Sequence, residues 1–439
     1  MSTVFWRAMK HRSFATHGSD SLALRSPVLV REEGTPSQRS LHGLDWLNFF
    51  LADIQTGVGP FVAVYLAASH WNPQQVGIAL TIGGLAGVVA QPPGGALVDA
   101  ARQKRILLTI GIVLLVTASL LLALHPVFAV VITAQILLGA IGSILGPTVA
   151  AITLGLVGPA GFDRRFGRNQ AFNSAGNVAA ALLMGGIGYA LSNRAIFLAV
   201  PLLAIPCLLA IAAITPKEID YARARGARQR DRGSPTVSIR AAFANRRILS
   251  FAFCAVLFHF ANAAMLPQLG EMLAHGRVRQ SAPFMSACVI VTQAVIAVTA
   301  ASIGRMAAKR GRRLMLLIGF GVLPIRGVLY TLTSSVPLLV GIQVLDGVAN
   351  AIFGAVSILV IADLTRGTGR FNVTQGAFGA AVGIGASFST TVAGYITQHA
   401  GYAASFLSLA SIAAVAWILL FVLVPETGSK VASDIPGTR

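Results

Sequence analysis

The alternation of long apolar runs with short polar breaks is the feature that most constrains this chain. A helix needs about 20 apolar residues to cross the hydrocarbon core of a bilayer, and the 439 residues contain twelve such segments. Only 11% of the residues are charged, against about 25% in soluble domains. The sequence therefore predicts an all-α membrane protein with twelve transmembrane helices. The segments are 44–68, 76–98, 106–124, 127–156, 169–191, 195–214, 248–272, 283–303, 314–334, 336–364, 373–397 and 402–424.

The longest polar break divides the segments into two sets of six. It covers residues 215–247 and is rich in arginine. We expect five parts along the chain. They are an N-terminal tail 1–43, a six-helix bundle 44–214, a linker 215–247, a second six-helix bundle 248–424 and a C-terminal tail 425–439.

The placement of the basic residues predicts the orientation. If the N-terminus is inside, 30 of the 34 Lys and Arg residues lie on the inner side, three lie outside, and Arg326 lies within a span. Because cytoplasmic loops carry the excess of Lys and Arg, both termini and the linker are predicted to be cytoplasmic. The net charge of +19 then reflects topology, and no nucleic-acid partner is expected.

The first 20 residues contain no continuous apolar core, which argues against a secretory signal peptide. Their basic, acid-poor composition also occurs in transit peptides. A cytoplasmic tail is the favoured interpretation, and a targeting signal is the alternative.

The two sets of segments resemble each other. Pro60 and Pro267 are 207 positions apart. Three residues of the fourth segment recur in the tenth at an offset of 208: Gln135, Gly139 and Gly146 correspond to Gln343, Gly347 and Gly354. Parallel repeats of this kind occur in transporters whose solute site lies between the two repeats near the bilayer midplane. The repeat therefore predicts two pseudo-repeated six-helix bundles with a cavity between them.

The stretch GGALVDAARQKR at 94–105 follows the second segment, and GRMAAKRGRR from Gly304 follows the eighth. Both resemble the loop signature of the major facilitator superfamily, in which Gly-x-x-x-Asp is followed by basic residues. The resemblance implies the fold of that superfamily and transport of a small solute by alternating access. The residues that match are Gly95, Asp99, Arg102, Lys104 and Arg105.

The signature implies a gate. Gly95 would let neighbouring helices approach closely. Asp99 would pair with arginines on facing loops and hold the cytoplasmic side shut, while the basic residues would also contact anionic lipid. A purely topological charge cluster is the alternative. The second copy has Ala308 at the acidic position, so gating should be asymmetric.

Two departures from family patterns bear on coupling. Many proton-coupled members carry Arg in the fourth span where this chain has Gln135, and drug antiporters carry a Gly-Pro before the glycine pair in the fifth. Here Gly185 and Gly186 are present, but Ala181 and Leu182 replace the Gly-Pro. Both departures weaken the resemblance to multidrug/proton antiporters. The runs FHFANAAMLPQ, LPIRGVLYTL and DLTRGTGRFNVTQGA resemble a bacterial branch of unassigned substrate, which implies the cell inner membrane.

Ionisable residues within a membrane are costly and are candidates for function. Four stand out here: Asp53, His259, Arg326 and Asp346. Asp53 lies about 13 Å into the first segment at 1.5 Å per residue. It is interpreted as a proton-coupling or substrate residue, with a structural pair or a cap as the alternative.

The other polar residues have competing interpretations. His259 and Asn262 share a helix face just before Pro267 and could contact a ligand, although a hydrogen bond to a neighbouring helix is an equal possibility for His259. The amides Gln135 and Gln343 are substrate candidates or contacts between helices. Arg326 and Asp346 fall at similar depths on adjacent antiparallel segments, which predicts a buried ion pair.

Motifs for other chemistry are missing from the sequence. There is no Walker A motif, no GxSxG or HExxH motif, and no Cys/His pattern for a metal; the three cysteines lie singly within apolar runs. We therefore expect no enzymatic activity, no cofactor and no metal. The partners expected are a small solute, protons and membrane lipids, with the protein acting as a monomer.

The sequence as a whole favours proton-coupled efflux by an antiporter. The alternative is proton-coupled uptake of a small organic acid or metal-chelate, with His259 and Arg326 recognising anionic groups. A non-transporting membrane sensor or a lipid translocator is the less favoured third possibility, because the central loop of about 33 residues is too short for a signalling domain.

Overall fold

The structure is a computed structural model that describes residues 36–221, 224, 245–366, 368 and 370–428. Most of the linker and most of both outer tails predicted from the sequence lie outside these residues. The described chain forms helices joined by short turns, with no strand among the described residues. The α-helices are α1 Gln38–Val58, α2 Phe61–Ala68, α3 Pro73–Ala100, α4 Lys104–Leu124, α5 Phe128–Ala190, α6 Asn193–Ala213, α7 Arg246–Ala263, α8 Met265–Gly276, α9 Val278–Arg310, α10 Arg312–Leu329, α11 Val336–Leu364 and α12 Phe371–Leu423.

Within the described residues, nine helical stretches are long and apolar enough to cross a membrane. Two of them, α5 and α12, contain a glycine with non-helical backbone angles, Gly158 and Gly401. These glycines fall between predicted segments, so each of the two helices carries two segments. The predicted segment 314–334 corresponds to α10, which lies outside the nine and contains three arginines. The all-helical membrane fold is confirmed, and the number of twelve crossings stays a prediction.

The first and seventh predicted segments are each broken into two helices. Gly59 and Pro60 separate α1 from α2, and α7 ends at Ala263 just before Pro267. Proline removes a backbone donor and clashes with the carbonyl four residues earlier, which accounts for both breaks. The proline pair identified in the sequence thus has the same effect in each half.

The repeated glycines Gly139 of α5 and Gly347 of α11 each lie where a neighbouring helix packs closely. A Cβ atom on Gly139 would lie 1.9 Å from the Gly83 carbonyl oxygen of α3. A Cβ atom on Gly347 would lie 2.6 Å from Val295 Cβ of α9. Only a residue without a side chain fits at either position, because small residues allow two helix backbones to pack closely.

We call α1–α6 the N set and α7–α12 the C set. The basic end of the bundle is the end that carries the connections 101–103, 158–168, 311 and 424–428; the opposite end carries 69–72, 125–127, 191–192 and 277. The positive-inside rule predicts that the basic end is cytoplasmic.

Ion pairs at the basic end hold each set together internally. In the N set, the buried Asp45 of α1 lies 2.7 Å from Arg165 and 2.8 Å from Arg168. In the C set, Asp363 at the end of α11 lies 2.7 Å from Arg312. These contacts fix the loops of one set to its own helices.

The carboxylate of Glu218 fixes the start of α1 to the chain just after α6. It accepts hydrogen bonds from the Ser37 backbone N–H and hydroxyl, both at 3.0 Å. Partial burial acts to raise the pKa of Glu218, but hydrogen bonds from Ser40, Ser37 and Thr215 outweigh it and lower the pKa below its usual value. Glu218 is therefore charged near neutral pH.

At the opposite end the two sets pack directly against each other. The Thr81 hydroxyl of α3 donates to the Ser387 carbonyl at 2.6 Å and accepts from the Thr391 hydroxyl at 2.6 Å. Between α6 and α9, Asn193 donates to the Ser281 hydroxyl at 3.3 Å. The opposite end is thus sealed by contacts between the sets.

Candidate solute pathway and buried charges

The residues of the predicted gate lie at the basic end. Asp99 is exposed, and it forms no ion pair with any residue that the structure describes. Arg102 is also exposed. A Cβ atom on Gly95 would meet nothing within 4 Å, so the close helix approach expected at this glycine is not present here.

The other two basic residues of the signature stabilise helix ends of the N set. Lys104 is fully buried, and its ammonium donates to the Val98 carbonyl and, at 3.3 Å, to the Ala101 carbonyl at the end of α3. Arg105 donates to the Ile211 carbonyl near the end of α6 at 3.0 Å. Basic groups at helix C-termini satisfy orphan carbonyls and complement the helix dipole. Lys104 therefore contacts protein carbonyls, where lipid contact was expected.

The wall of the N set contains two cavities of about 400 and 300 Å³. The larger begins near Phe166 at the basic end, and the smaller reaches Val62 in α2; Gln55 and Gly142 line both. Together they form a path from the basic end to the middle of the bundle.

Amide side chains dominate the polar lining of this path. Gln55 lines both cavities, Gln135 lines the smaller, and Gln170 and Asn173 line the larger. The side chains of Gln55, Gln135 and Gln170 make no hydrogen bond to any residue within the described ranges. Amides of this kind offer both donors and acceptors without a net charge.

Asp53 lies on the same helix as Gln55 but in different surroundings. Its side chain is 3% exposed, and its Oδ1 atom has no hydrogen-bond partner in the described part of the chain. The carboxyl lies within electrostatic range of Cys207 on α6. A buried carboxyl without hydrogen bonds is expensive to ionise, so it can hold a proton.

In the C set, His259 and Asn262 take different partners. The His259 ring packs edge-on against Phe353, with centroids 4.3 Å apart, and its Nδ1 atom lies 3.1 Å from the Ala255 carbonyl oxygen. The side-chain Oδ1 atom of Asn262 accepts a hydrogen bond from Arg326 at 2.5 Å. Both side chains are half-buried.

Arg326 and Asp346 lie side by side in the core of the C set. The Arg326 guanidinium lies 2.5 Å from the Asp346 carboxylate and is 1% exposed. Its Nε atom donates to the Tyr330 hydroxyl at 2.8 Å, and Gln343 donates to the same hydroxyl at 2.8 Å. The charge of Arg326 is thus neutralised and hydrogen-bonded within the protein.

Two buried acids, Asp45 and Glu271, are not among the predicted site residues. Asp45 is the second residue of the first predicted segment and forms ion pairs with Arg165 and Arg168. Glu271 lies one residue before the end of the segment 248–272, yet the structure buries it to 3% exposure. Its burial depends on neighbours in space, which the length of an apolar run does not reveal.

The fold and these sites define a multi-pass membrane transporter, and comparison with known proteins identifies its family. The model of the Major Facilitator Superfamily matches residues 46–301 and 281–438. Two uncharacterized MFS-type transporters of Mycobacterium tuberculosis, from strains CDC 1551 / Oshkosh and ATCC 25618 / H37Rv, are each 42% identical over 400 residues, covering 90% of this chain and 95% of theirs. The chain belongs to the Major Facilitator Superfamily.

Solved structures show the same fold. The nucleoside transporter NupG matches with a TM-score of 0.74 at 15% identity, covering 87% of this chain and 98% of its own. A point mutant of the same transporter matches with a TM-score of 0.73 at 17% identity, covering 88% and 99%. At this identity the likeness establishes the architecture alone.

Proposed function

We propose that the protein is a proton-coupled secondary transporter that moves a small solute by alternating access. The observation that carries the proposal is the contrast between its two ends. Contacts between the sets seal the opposite end, while a lined path leads from the basic end to Gln55 and the gate residue Asp99 has no ion-pair partner among the described residues. This is an arrangement open toward the side predicted to be the cytoplasm.

The lining favours a solute that carries hydrogen-bonding groups and needs no strong counter-charge. The free amides of Gln55, Gln135 and Gln170 can bind such groups either as hydrogen-bond donors or as acceptors. Arg326 is occupied by Asp346, Asn262 and Tyr330, which weakens the alternative of anion uptake through this arginine.

Asp53 is the proposed proton site of the N set. Its burial and lack of a hydrogen bond to Oδ1 favour the neutral form in the present conformation. A conformational change that brings water to α1 would favour release of the proton. For export, the carboxyl would take up a proton while the opposite end is open, and the proton would pass from the carboxyl oxygen to water that reaches α1 from the basic end.

Export is the direction that we propose, with the protein acting as a monomer in a bacterial inner membrane and with both termini cytoplasmic. The support is the largely apolar lining around the amides and the glycine pair Gly185–Gly186. Gly185 packs on Ser286 of α9, at the contact between the sets that must part for the opposite end to open.

A nucleoside-like solute is the second candidate. The C set carries an aromatic cluster in which the Phe353 ring stacks at 5.3 Å on Phe258 and meets His259 edge-on. Flat rings with hydrogen-bonding edges would suit a site that combines aromatic side chains with free amides. The shared architecture with a nucleoside transporter is consistent with a nucleoside-like solute, but the argument for that solute rests on the aromatic cluster.

The test uses everted membrane vesicles energised to an acidic interior. Candidate solutes, with nucleosides and neutral amphiphiles as the first panel, are added while a pH-sensitive dye reports the gradient. A transported solute should collapse the gradient in wild-type vesicles and leave it intact in Asp53→Asn vesicles with equal protein content. If vesicles without a pH gradient accumulated the solute to the same ratio of inside to outside concentration, the result would contradict secondary active transport.

A further inference from the structure

A second buried acid lies at the sealed opposite end of the bundle. Glu271 of α8 is 3% exposed, its Oε2 atom has no hydrogen-bond partner, and the described residues contain no ion pair to it. The hydroxyl of Tyr402, on α12, is also buried and without a partner, and it lies within electrostatic range of Glu271. An isolated carboxylate in such a place is strongly disfavoured, so the carboxyl holds its proton while this end is closed.

Glu271 follows Gly270, a residue that lies at the contact between the sets. A Cβ atom on Gly270 would lie 2.7 Å from Val64 Cγ2 of α2 and 2.7 Å from Met285 Sδ of α9. The contact of α2 with α8 therefore joins the N set to the C set one residue from the acid. This contact has to part if the opposite end opens.

The titratable and charged groups on the surrounding helices leave the acid without a counter-charge. On its own helix, His275 is exposed and its ring lies 6.5 Å from that of Tyr402. On α2, the Tyr65 hydroxyl donates away to the Leu122 carbonyl at 2.9 Å. On α9, Arg279 is exposed and donates to the Tyr189 carbonyl. Tyr402 is the titratable group that faces Glu271 from α12.

We propose that Glu271 is a proton-binding site that controls opening of the opposite end. The proposal rests on the proposed function, in which transport is coupled to protons. With the proton bound, the neutral carboxyl allows α2 and α8 to pack. When these helices part, water reaches the carboxyl, the proton passes from the carboxyl oxygen to that water, and the resulting charge prevents closure until a proton returns.

The sign of the effect follows from proton linkage. The closed state binds one more proton than the open state, so raising the pH favours opening. One linked proton changes the ratio of open to closed molecules by at most about tenfold per pH unit. The proposal therefore requires a measurable shift in the population of the open state between about pH 6 and pH 8.

The experiment measures the distance across the opposite end by electron–electron resonance in lipid nanodiscs. Spin labels are placed at Arg194→Cys and Gln398→Cys, both exposed, while the three native cysteines are fully buried. In the otherwise wild-type protein, the longer distance should gain population as the pH rises. In Glu271→Gln, which mimics the protonated acid, the short distance should persist at every pH.

Glu218→Gln is the matched control, because the same change is made at the basic end; it should keep the wild-type response. A pH response retained by Glu271→Gln, or one missing from the wild type, would overturn the proposal. Glu271→Asp should restore a pH response if a titrating carboxyl is what matters. If the distances respond to pH but vesicle transport does not depend on the pH gradient, the proposed function fails and the Glu271 site stands. If transport depends on the gradient but the distances do not respond to pH, the Glu271 proposal alone is rejected.

Discussion

Asp53 in the N set and Asp346 in the C set are both aspartates buried within the helix bundle, but their surroundings differ. Their residues are 3% and 6% exposed. Asp346 lies against Arg326 at 2.5 Å and also accepts from the Thr292 hydroxyl at 3.2 Å. The Oδ1 atom of Asp53 has no partner in the described chain. The same side chain thus occurs once with its charge compensated and once without.

This difference separates a structural role from an exchangeable proton. A paired carboxylate stays ionised because its partner offsets the cost of desolvation. A buried carboxyl without a partner is neutral until water or a cation reaches it. We therefore expect Asp346 to support folding and Asp53 to respond to the conformational cycle, and four variants test that division.

Arg326→Ala should have the largest effect. It leaves Asp346 as an uncompensated buried charge, and breaking a buried pair costs about 3–5 kcal/mol. The yield of monodisperse protein, measured by fluorescence-detected size exclusion of a fusion with a fluorescent protein, should fall sharply. The exchange of both residues, Arg326→Asp with Asp346→Arg, should recover much of that yield. Normal yield with loss of transport alone would make Arg326 a substrate or coupling residue.

Tyr330→Phe should have an intermediate effect. Its hydroxyl accepts hydrogen bonds from both Arg326 and Gln343, and leaving buried donors unpaired costs about 1–3 kcal/mol. The apparent melting temperature in detergent should drop, by less than for Arg326→Ala. Tyr395→Phe offers a control, since the Tyr395 ring is exposed. An equal drop for both variants would remove the Arg326 network as the cause.

Asp53→Asn should leave stability almost unchanged and alter coupling. The amide matches the neutral acid in shape, so the melting temperature should stay within about 2 °C of the wild type. Transport driven by a pH gradient should be lost, while counterflow exchange of labelled solute continues in proteoliposomes. Gradient-driven transport that survives the change would show that Asp53 binds solute in its neutral form or has a structural role.

The fold was predictable because the membrane imposes simple rules. Apolar run length, the repeat offset and the distribution of Lys and Arg act on whole segments, so errors at single residues do not matter. The depth of Arg326 and Asp346 could be counted at 1.5 Å per residue along adjacent segments, and the structure places the two residues in contact.

The details of the site were harder to predict because they depend on rotation about a helix axis and on conformation. Gln55 faces both cavities while Asp53, two residues earlier, is buried near α6. Run length does not give that rotation. The surroundings of Gly95, Asp99 and Glu271 depend on how the helices pack in three dimensions, which run length does not give either.

Asp99→Asn should have the smallest effect on the folded protein. It extends the comparison of the two buried aspartates to an exposed aspartate at the basic end. Asp99 is exposed and makes no ion pair to a described residue in this arrangement, so stability should be unchanged. If Asp99 pairs with facing arginines only when the basic end closes, its neutral variant destabilises that state alone. The initial rate of solute-driven gradient collapse should then fall, whereas Asp163→Asn, another exposed acid at the same end, should match the wild type. Equal rates for the two variants would assign Asp99 to the topological charge cluster and leave the buried acids as the residues that set the cycle.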